Sequence, residues 1–582
     1  MTKRWQIQPT INQDLKDKFP EINDIVLQLL STRDLTEQDT IDDFLNPNYD
    51  TQILDPYLFK DMKKAVDRLM RATKNNEKVM IYGDYDADGV CSTAILFETL
   101  KSLGLNVDTY IPFRETEGYG LNTKITSQII DQGFNLVITV DCGIANMAEI
   151  KLFQEQGVDV IVLDHHQEPP ELPPAYAIID PAMNSSGYPF TKLAGAGVVF
   201  KFIQAIIINQ ENEDLPIKLP AGFDKWLLDL VAIATVGDIV PLLSENRVIV
   251  KYGLTVLEKS KRIGLLKLIA TTNHNHGNID TQYLGWRLVP RINAAGRIEH
   301  ASVAFDLLTT RDIGEVEKLV TVLEQNNRYR QQITEEMMKE AQNQIGEVGD
   351  NDYLLIVTGD NWQVGVVGLV AGRLADKYHR PTLAVVKEST PKVFDGVNKY
   401  TGSGRSVPEF DITHALSECG EYLTRYGGHP QACGFTVLGD ENFTKFASKL
   451  KKLAKEKLKY VDLRPQLNIE AEIDLNDINW ELWDELEKFE PYGEANPKPL
   501  FVAYGVVVMQ IQLVGKDNKH LRIMVSPDGN VKVHKFIGFG FGQWCAKLKI
   551  NDKIDIVFEI GVNEWNGNRE LQLKIKDLRV SN

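Results

Sequence analysis

The sequence predicts an α/β protein: two α/β domains joined by a long helix, with a small antiparallel β-barrel at the C-terminus. Three observations carry this. Between residues 79 and 163, short β-branched runs alternate with helix-length stretches, the pattern of a parallel sheet covered on both faces. A second strand–helix–strand pattern occupies 353–358, 366–377 and 382–386, after a charged, proline-free stretch suited to one connecting helix. Beyond about 465 the pattern changes to alternating strands, with turns at Asp528-Gly529 and Asn566-Gly567.

In chain order, residues 1–75 read as a helical, polar segment packed on the first α/β domain, with amphipathic stretches beginning at Asp34 and over 59–70. That domain spans 76–312, with strands at 79–83, 107–112, 136–140 and 158–163 and helices near 90–100, 123–132 and 145–156. The connecting helix covers 313–347 and the second α/β domain 348–460. The barrel, 461–582, has strands at 500–509, 521–525, 535–540, 554–560 and 571–575, and reads as an OB-fold, whose exposed aromatics can stack bases.

With 582 residues and 43% hydrophobic content, the chain can build several cores. No run approaches the roughly 18 apolar residues of a membrane span, and Met1-Thr2-Lys3-Arg4 leads into no apolar signal region, so the expected location is cytoplasmic with no membrane partner. Five scattered cysteines without a Cys-x-x-Cys pair argue against a zinc ribbon and a disulfide framework. A net charge of −17 speaks against nucleic acid as a whole-chain sum, but residues 498–582 carry thirteen Lys+Arg against eight Asp+Glu, a local balance of +5. Lys516, Lys519, His520, Arg522, Lys532 and Lys535 are the candidates for tracking backbone phosphates there.

The chemistry concentrates at predicted strand ends. Asp84, Asp86 and Asp88 follow the first strand, Asp141 the third, and Asp164-His165-His166 the fourth. Ligands of open α/β sheets bind outside the carboxyl ends of the strands, so these groups converge on one edge. Asp238, in Gly237-Asp238-Ile239-Val240-Pro241 after an apolar helix, adds a fourth segment; a carboxylate between apolar flanks must be paired or coordinated. One Asp suffices to cap a helix, and three exceed that need. Neighbouring side chains of an extended segment point apart, so His165 is assigned to metal and His166 to supporting the metal site or the substrate phosphate. His274 and His276 read as solvated loop histidines. An oxygen-rich site with a single imidazole suits manganese or magnesium over zinc, and its charge calls for two divalent cations, which makes phosphoester or phosphoanhydride hydrolysis the expected reaction class. No P-loop is present.

Gly83-Asp84-Tyr85-Asp86-Ala87-Asp88-Gly89, Val140-Asp141-Cys142-Gly143, Asp164-His165-His166 and Val236-Gly237-Asp238-Ile239-Val240-Pro241-Leu242 resemble, in order and spacing, the acidic motifs of the DHH phosphoesterase superfamily. With Pro290-Arg291-Ile292-Asn293-Ala294-Ala295-Gly296-Arg297, Gly402-Ser403-Gly404-Arg405-Ser406 and Gly427-Gly428-His429, nearly the whole chain is similar to the RecJ-type single-strand-specific exonucleases. One departure is Trp362-Gln363, where the pattern has a histidine beside the tryptophan.

The resemblance implies a DHH domain, a DHH-associated domain and an OB-fold. It implies Asp86, Asp88, Asp141, His165 and Asp238 as metal ligands, with Asp84 and His166 as catalytic support. Around a terminal phosphate it implies Arg114, Arg297 and Arg405, with Ser403 and Tyr119 supporting that pocket and His429 near the transition-state charge. The implied activity is 5′-to-3′ hydrolysis of single-stranded DNA to 5′-mononucleotides in repair and recombination, beside a helicase and a single-strand-binding protein. Two competing readings are a phosphodiesterase acting on oligoribonucleotides or cyclic dinucleotides, which would have no use for a basic barrel, and a non-catalytic replication scaffold, which would have no need of so many converging acids.

Overall fold

The computed structural model describes residues 3–211, 215, 217–272, 279–360, 362–388, 397–527, 532–565 and 568–581. The expected turns at 528–529 and 566–567, and His274 and His276, lie outside them. The described chain forms two units, one of Lys3–Tyr110, Gly120–Val289 and Gln466–Asn582, the other of Ile111–Tyr119 and Pro290–Pro465.

The first unit contains the parallel sheet. Its elements are β1 (Lys78–Gly83), α1 (Ala87–Ser102), β2 (Asn106–Tyr110), α2 (Thr123–Asp131), β3 (Leu136–Val140), α3 (Met147–Glu155), β4 (Asp159–Leu163) and β5 (Ala177–Ile179). The strands pair in parallel in the order β2-β1-β3-β4-β5. Every residue of β3 is buried, which is why the run is continuously apolar instead of alternating. The order reverses between β1 and β3, and at such a switch point the departing loops open a crevice at the carboxyl edge. Two apolar helices, α4 (Gly195–Gln210) and α5 (Leu228–Gly237), pack beside α1 and are almost wholly buried.

Packing divides the stretch 1–75 that the sequence assigns wholly to this domain. Phe19, Val26, Leu29, Ile41 and Phe44 share a core with Phe501, Phe536 and Phe558 of the C-terminal barrel, and strand Arg4–Ile7 pairs with Gln466–Ile469. Only the later part sits on the parallel-sheet side: the Leu54 N–H donates to Glu245 and its carbonyl accepts from the buried Lys201. The apolar faces of these short helices have the same period whichever core receives them, so sequence alone could not choose.

In the second unit, α6 (Ile313–Ile345) leads to β6 (Leu355–Asp360), α7 (Val364–Tyr378), β7 (Thr382–Glu388), β8 (Lys399–Arg405), β9 (Arg425–His429) and β10 (Ala432–Leu438). The sheet order is β9-β10-β8-β7-β6, parallel only between β6 and β7. Gly402-Ser403-Gly404 lies within strand β8, paired on both sides, so its backbone is committed to the ladder and cannot cradle a phosphate. Its glycines make room: a Cβ at Gly402 would run into the Phe435 ring.

The barrel comprises β11 (Phe501–Val514), β12 (His520–Ser526), β13 (His534–Gly538), β14 (Lys553–Trp565) and β15 (Asn568–Val580), in the order β11-β12-β13-β15-β14. Pairing of β14 with β11 closes the ring, and the β13–β15 contact is parallel, a departure from the antiparallel barrel that the sequence pattern predicts. This is the closed five-stranded topology of an OB-fold.

Candidate metal centre

Local physics sets each side chain of the site. After β1 the chain turns sharply into α1, and Asp86 caps that helix: its Oδ1 accepts from the N–H groups of Asp88 at 2.9 Å and Gly89 at 3.2 Å. Gly89 is required there, because a Cβ would lie 2.5 Å from the Asp84 carbonyl oxygen. Capping is thus one function of the motif, satisfied by one of its three acids. Asp88 turns inward, and its two oxygens accept from Gly195 and Ala196 N–H at 2.7 Å each, at the first turn of α4. A Cβ on Gly195 would stand 2.8 Å from the Asp141 carboxylate, so this position admits only glycine if helix and acid are to approach.

Asp141 directly follows β3 at φ +59°, a left-handed conformation that ends the strand there. His165, after β4, aims one nitrogen at three carboxylates: Nε2 lies 3.1 Å from Asp141 Oδ1, 3.7 Å from Asp238 Oδ2 and 3.9 Å from Asp88 Oδ2. Three sets of candidate ligand atoms lie within 4.8 Å of one another: Asp84, Asp86 and Asp141; Asp88, His165 and Asp238; and Asp141, His165 and His166. Asp141 belongs to two of them, so the groups interlock.

Electrostatics agrees with the geometry. Burial, and then the charges of Asp88, Asp86, Asp84 and Asp238, push Asp141 well above the usual carboxylate range. Burial and Asp86 raise Asp88 to about 7, and burial with Asp88 and Asp86 raises Asp238 to about 8. So many buried acids oppose one another unless cations replace their protons, and oxygen donors with one imidazole suit a hard divalent ion. These residues could therefore hold metal.

The five sequence-assigned ligands, Asp86, Asp88, Asp141, His165 and Asp238, all reach this edge, as do Asp84 and His166. Asp164 has a part that the sequence left open. Fully buried, it accepts from Ile144 N–H at 3.0 Å, His165 N–H at 2.8 Å and His166 Nδ1 at 2.7 Å. Burial pushes Asp164 up, but the His166 hydrogen bond and charge outweigh it and bring it down to about 2. Burial pulls His166 down, but Asp164 reverses this and lifts it to about 9, so the imidazole is cationic at neutral pH. Gly195 and the α4 N-terminus were also missed; the run Ala194-Gly195-Ala196-Gly197 was the available signal.

The remaining expected residues belong to the second unit. Ser403 and Arg405 share a face of β8, with Arg405 Nη1 donating to Ser403 Oγ at 3.2 Å, and a Cβ on Gly368 of α7 would lie 3.3 Å from Arg405 Nη2. Arg297 Nη1 donates to the Gly365 carbonyl at 3.0 Å in the first turn of the same helix. Burial pulls the Arg405 guanidinium down, and Arg114 lowers it further. Arg114, Arg297, Ser403 and Arg405 thus gather about α7. His429 ends the exposed edge strand β9, and Tyr119 is 38% exposed. At the departure position, Gln363 Nε2 donates to Glu115 Oε1 at 2.5 Å, within this unit.

The fold and the arrangement of acids and histidines at one sheet edge define a DHH-type protein. Residues 78–235 match the DHH family N-terminal domain, 351–456 the DHHA1 domain and 469–577 the RecJ OB domain. The chain is 36% identical to the single-stranded-DNA-specific exonuclease RecJ of Bacillus subtilis, covering 99% of this chain and 71% of that one. It is 32% identical to the Escherichia coli protein of the same description, covering 89% and 90%. The crystal structure of RecJ in complex with Mn2+ from Thermus thermophilus superposes with a TM-score of 0.83 at 26% identity, covering 100% of this chain and 80% of that one. The chain belongs to the RecJ family.

Proposed function

We propose that this protein is a metal-dependent 5′-to-3′ exonuclease that hydrolyses single-stranded DNA to 5′-mononucleotides in repair and recombination. The observation that carries the reading is the interlocking of carboxylate and imidazole atoms from four segments at one sheet edge. Asp86, Asp88, Asp141, His165 and Asp238 would hold two divalent cations, with Asp84 close by; Asp141 belongs to two of the three groups of candidate ligand atoms. We assign Mn2+, with Mg2+ the alternative; crystal structures of the Thermus protein are in complex with each of them. When bound, such a pair activates a water and neutralises charge on the scissile phosphate.

The chain's own residues then have distinct tasks. Asp164 fixes the His166 ring, whose remaining N–H can donate to a phosphate oxygen or carry a proton to the leaving oxygen. Asp88 is oriented by the α4 N-terminus. Arg114, Arg297, Ser403 and Arg405 would bind the terminal 5′-phosphate, with Tyr119 supporting them and His429 donating to the reacting phosphate. Arg522 and Lys535, on the outer face of the barrel, would hold the outgoing strand. A cytoplasmic enzyme beside a helicase and a single-strand-binding protein fits this reading, and no helix among the described residues is long and apolar enough to cross a membrane.

The test is digestion of end-labelled single- and double-stranded DNA and RNA with Mn2+ or Mg2+. Mononucleotides should leave from the 5′ end of single-stranded DNA. Release from the 3′ end, or equal attack on duplex, contradicts the assignment.

A further inference from the structure

Trp286 is 80% exposed, more than any other described tryptophan side chain. It stands on a single π-helical turn, Leu284–Leu288, in which Leu284 and Leu288 are fully buried. Such turns mark positions where a helix has been distorted to aim a side chain. The turn is anchored on α5, the helix that ends at Asp238. A Cβ on Gly285 would lie 3.9 Å from Val236 Cγ1, and one on Gly237 would lie 3.3 Å from both Val289 methyls. Beside Asp238, Ile239 is 69% exposed at φ +59°, a conformation that a β-branched residue adopts only under constraint, with its N–H bonded to the Val236 carbonyl at 3.4 Å. Two apolar side chains therefore face solvent: Ile239, next in sequence to the metal-site carboxylate of Asp238, and Trp286, whose neighbour Gly285 approaches Val236 two residues before that carboxylate.

We propose that Trp286, flanked by Ile239, is a stacking platform for a nucleobase of the single strand as it approaches the metal centre. The proposal rests on the nuclease reading above. An acidic site repels a polyanion, and lysines placed among the acids would compete with the metal; the face of an indole attracts a base without charge, whatever its identity. One indole and one isoleucine match the area of a base and fall far short of a protein interface, which takes some twenty residues a side.

The experiment uses the full chain and a set of single-stranded oligonucleotides, each with one abasic nucleotide at a different position. Trp286→Ala should raise KM by about 5- to 100-fold with kcat and thermal midpoint little changed, and Trp286→Phe should retain most of the affinity. At one abasic position the wild type and Trp286→Ala should become equal, because the base that stacks is gone. Without metal, adding strand should quench tryptophan emission in the wild type and less so in Trp286→Phe. Wild-type kinetics in Trp286→Ala, or a deficit that persists at every abasic position, overturns the platform while leaving the nuclease intact. A shift to smaller assemblies with unchanged strand kinetics assigns the tryptophan to a protein contact and overturns it too. A wild-type protein inert on single strands sinks both readings.

Discussion

His166 Nδ1 donates to the buried Asp164 carboxylate at 2.7 Å, and this contact sets the charge of the imidazole. His166, raised to about 9, contributes stability that is complete below its ordinary value of 6.5 and is lost as pH rises through 9. Asp164, lowered to about 2, contributes stability complete above its ordinary 3.8 and lost as pH falls through 2. In Asp164→Asn, burial acts on His166 with only the smaller contributions of Asp238 and Asp84 opposing it, so its titration, followed by NMR, should fall. The alkaline limb of kcat should move down with it, costing roughly 10- to 100-fold at pH 8. A His166 titration unchanged by the substitution would show that Asp164 does not govern it.

The acids of the metal centre also lose stability as pH rises, through their burial and mutual repulsion. Without cations, Asp88 near 7 and Asp238 near 8 hold protons that the same carboxyls release in the unfolded chain around 3.8. The folded state binds more protons across that window, so metal-free stability should decline as pH rises from about 4 to about 8 and then level. Divalent cations must displace those protons, so apparent Mn2+ affinity should grow up to about pH 8 and then level. Asp141→Asn removes one repelled charge. It should raise the metal-free thermal midpoint at pH 8 by a few degrees, about 2–4 °C for each ~1 kcal/mol relieved, and abolish the response to Mn2+. A metal-free midpoint that climbs with pH would contradict the mutual repulsion of these acids.

The strand ends of the parallel sheet were legible in the sequence because a buried strand is a continuous apolar run, and a carboxylate directly after it has one edge to occupy. That reasoning reached Asp86, Asp141 and His165 without knowledge of tertiary structure, and the apolar flanks of Asp238, at the end of a helix, added the fourth segment. It could not reach Gly195, whose importance lies in the closeness of a helix start to an acid more than fifty residues earlier, nor the work of Asp164, which depends on several donors closing around it. In Gly402-Ser403-Gly404 glycine, which usually marks a turn, instead makes room for Phe435, Cys433 and Leu383 across a sheet, information held by other parts of the chain.

Arg405 and Ser403 gather with Arg297 at the start of α7, and Arg405 is held on a strand instead of a loop. A guanidinium fixed in this way keeps its fork oriented before a phosphate arrives, which a lysine cannot reproduce. Arg405→Ala should cut the preference for a 5′-phosphorylated over a 5′-hydroxyl end by about 10-fold in kcat/KM, the worth of one charge-assisted contact. Arg405→Lys should recover only part of it. An unaltered preference in Arg405→Ala would remove this residue from end recognition.

Deleting the barrel would be a poor probe of strand binding, because Phe19, Val26 and Phe44 would lose their core and strand Arg4–Ile7 its partner. The barrel face itself offers a cleaner one. Gln510, Gln512, Arg522, Met524 and Lys535 line a depression of about 180 Å3 on adjacent strands, with Lys535 only loosely paired to Glu570 at 3.3 Å. Two of the other candidate cations are differently engaged, Lys519 with Asp517 at 3.5 Å and Lys532 with the Asn476 carbonyl at 3.3 Å. Arg522→Ala combined with Lys535→Ala should therefore weaken binding of strands long enough to reach the barrel. The slope of log affinity against log salt should fall by about 1.4, two phosphate contacts at roughly 0.7 each, while kcat on the shortest strands is preserved. Equal losses on short and long strands would mean that these two residues act through stability, which the thermal midpoint of the double variant would reveal directly.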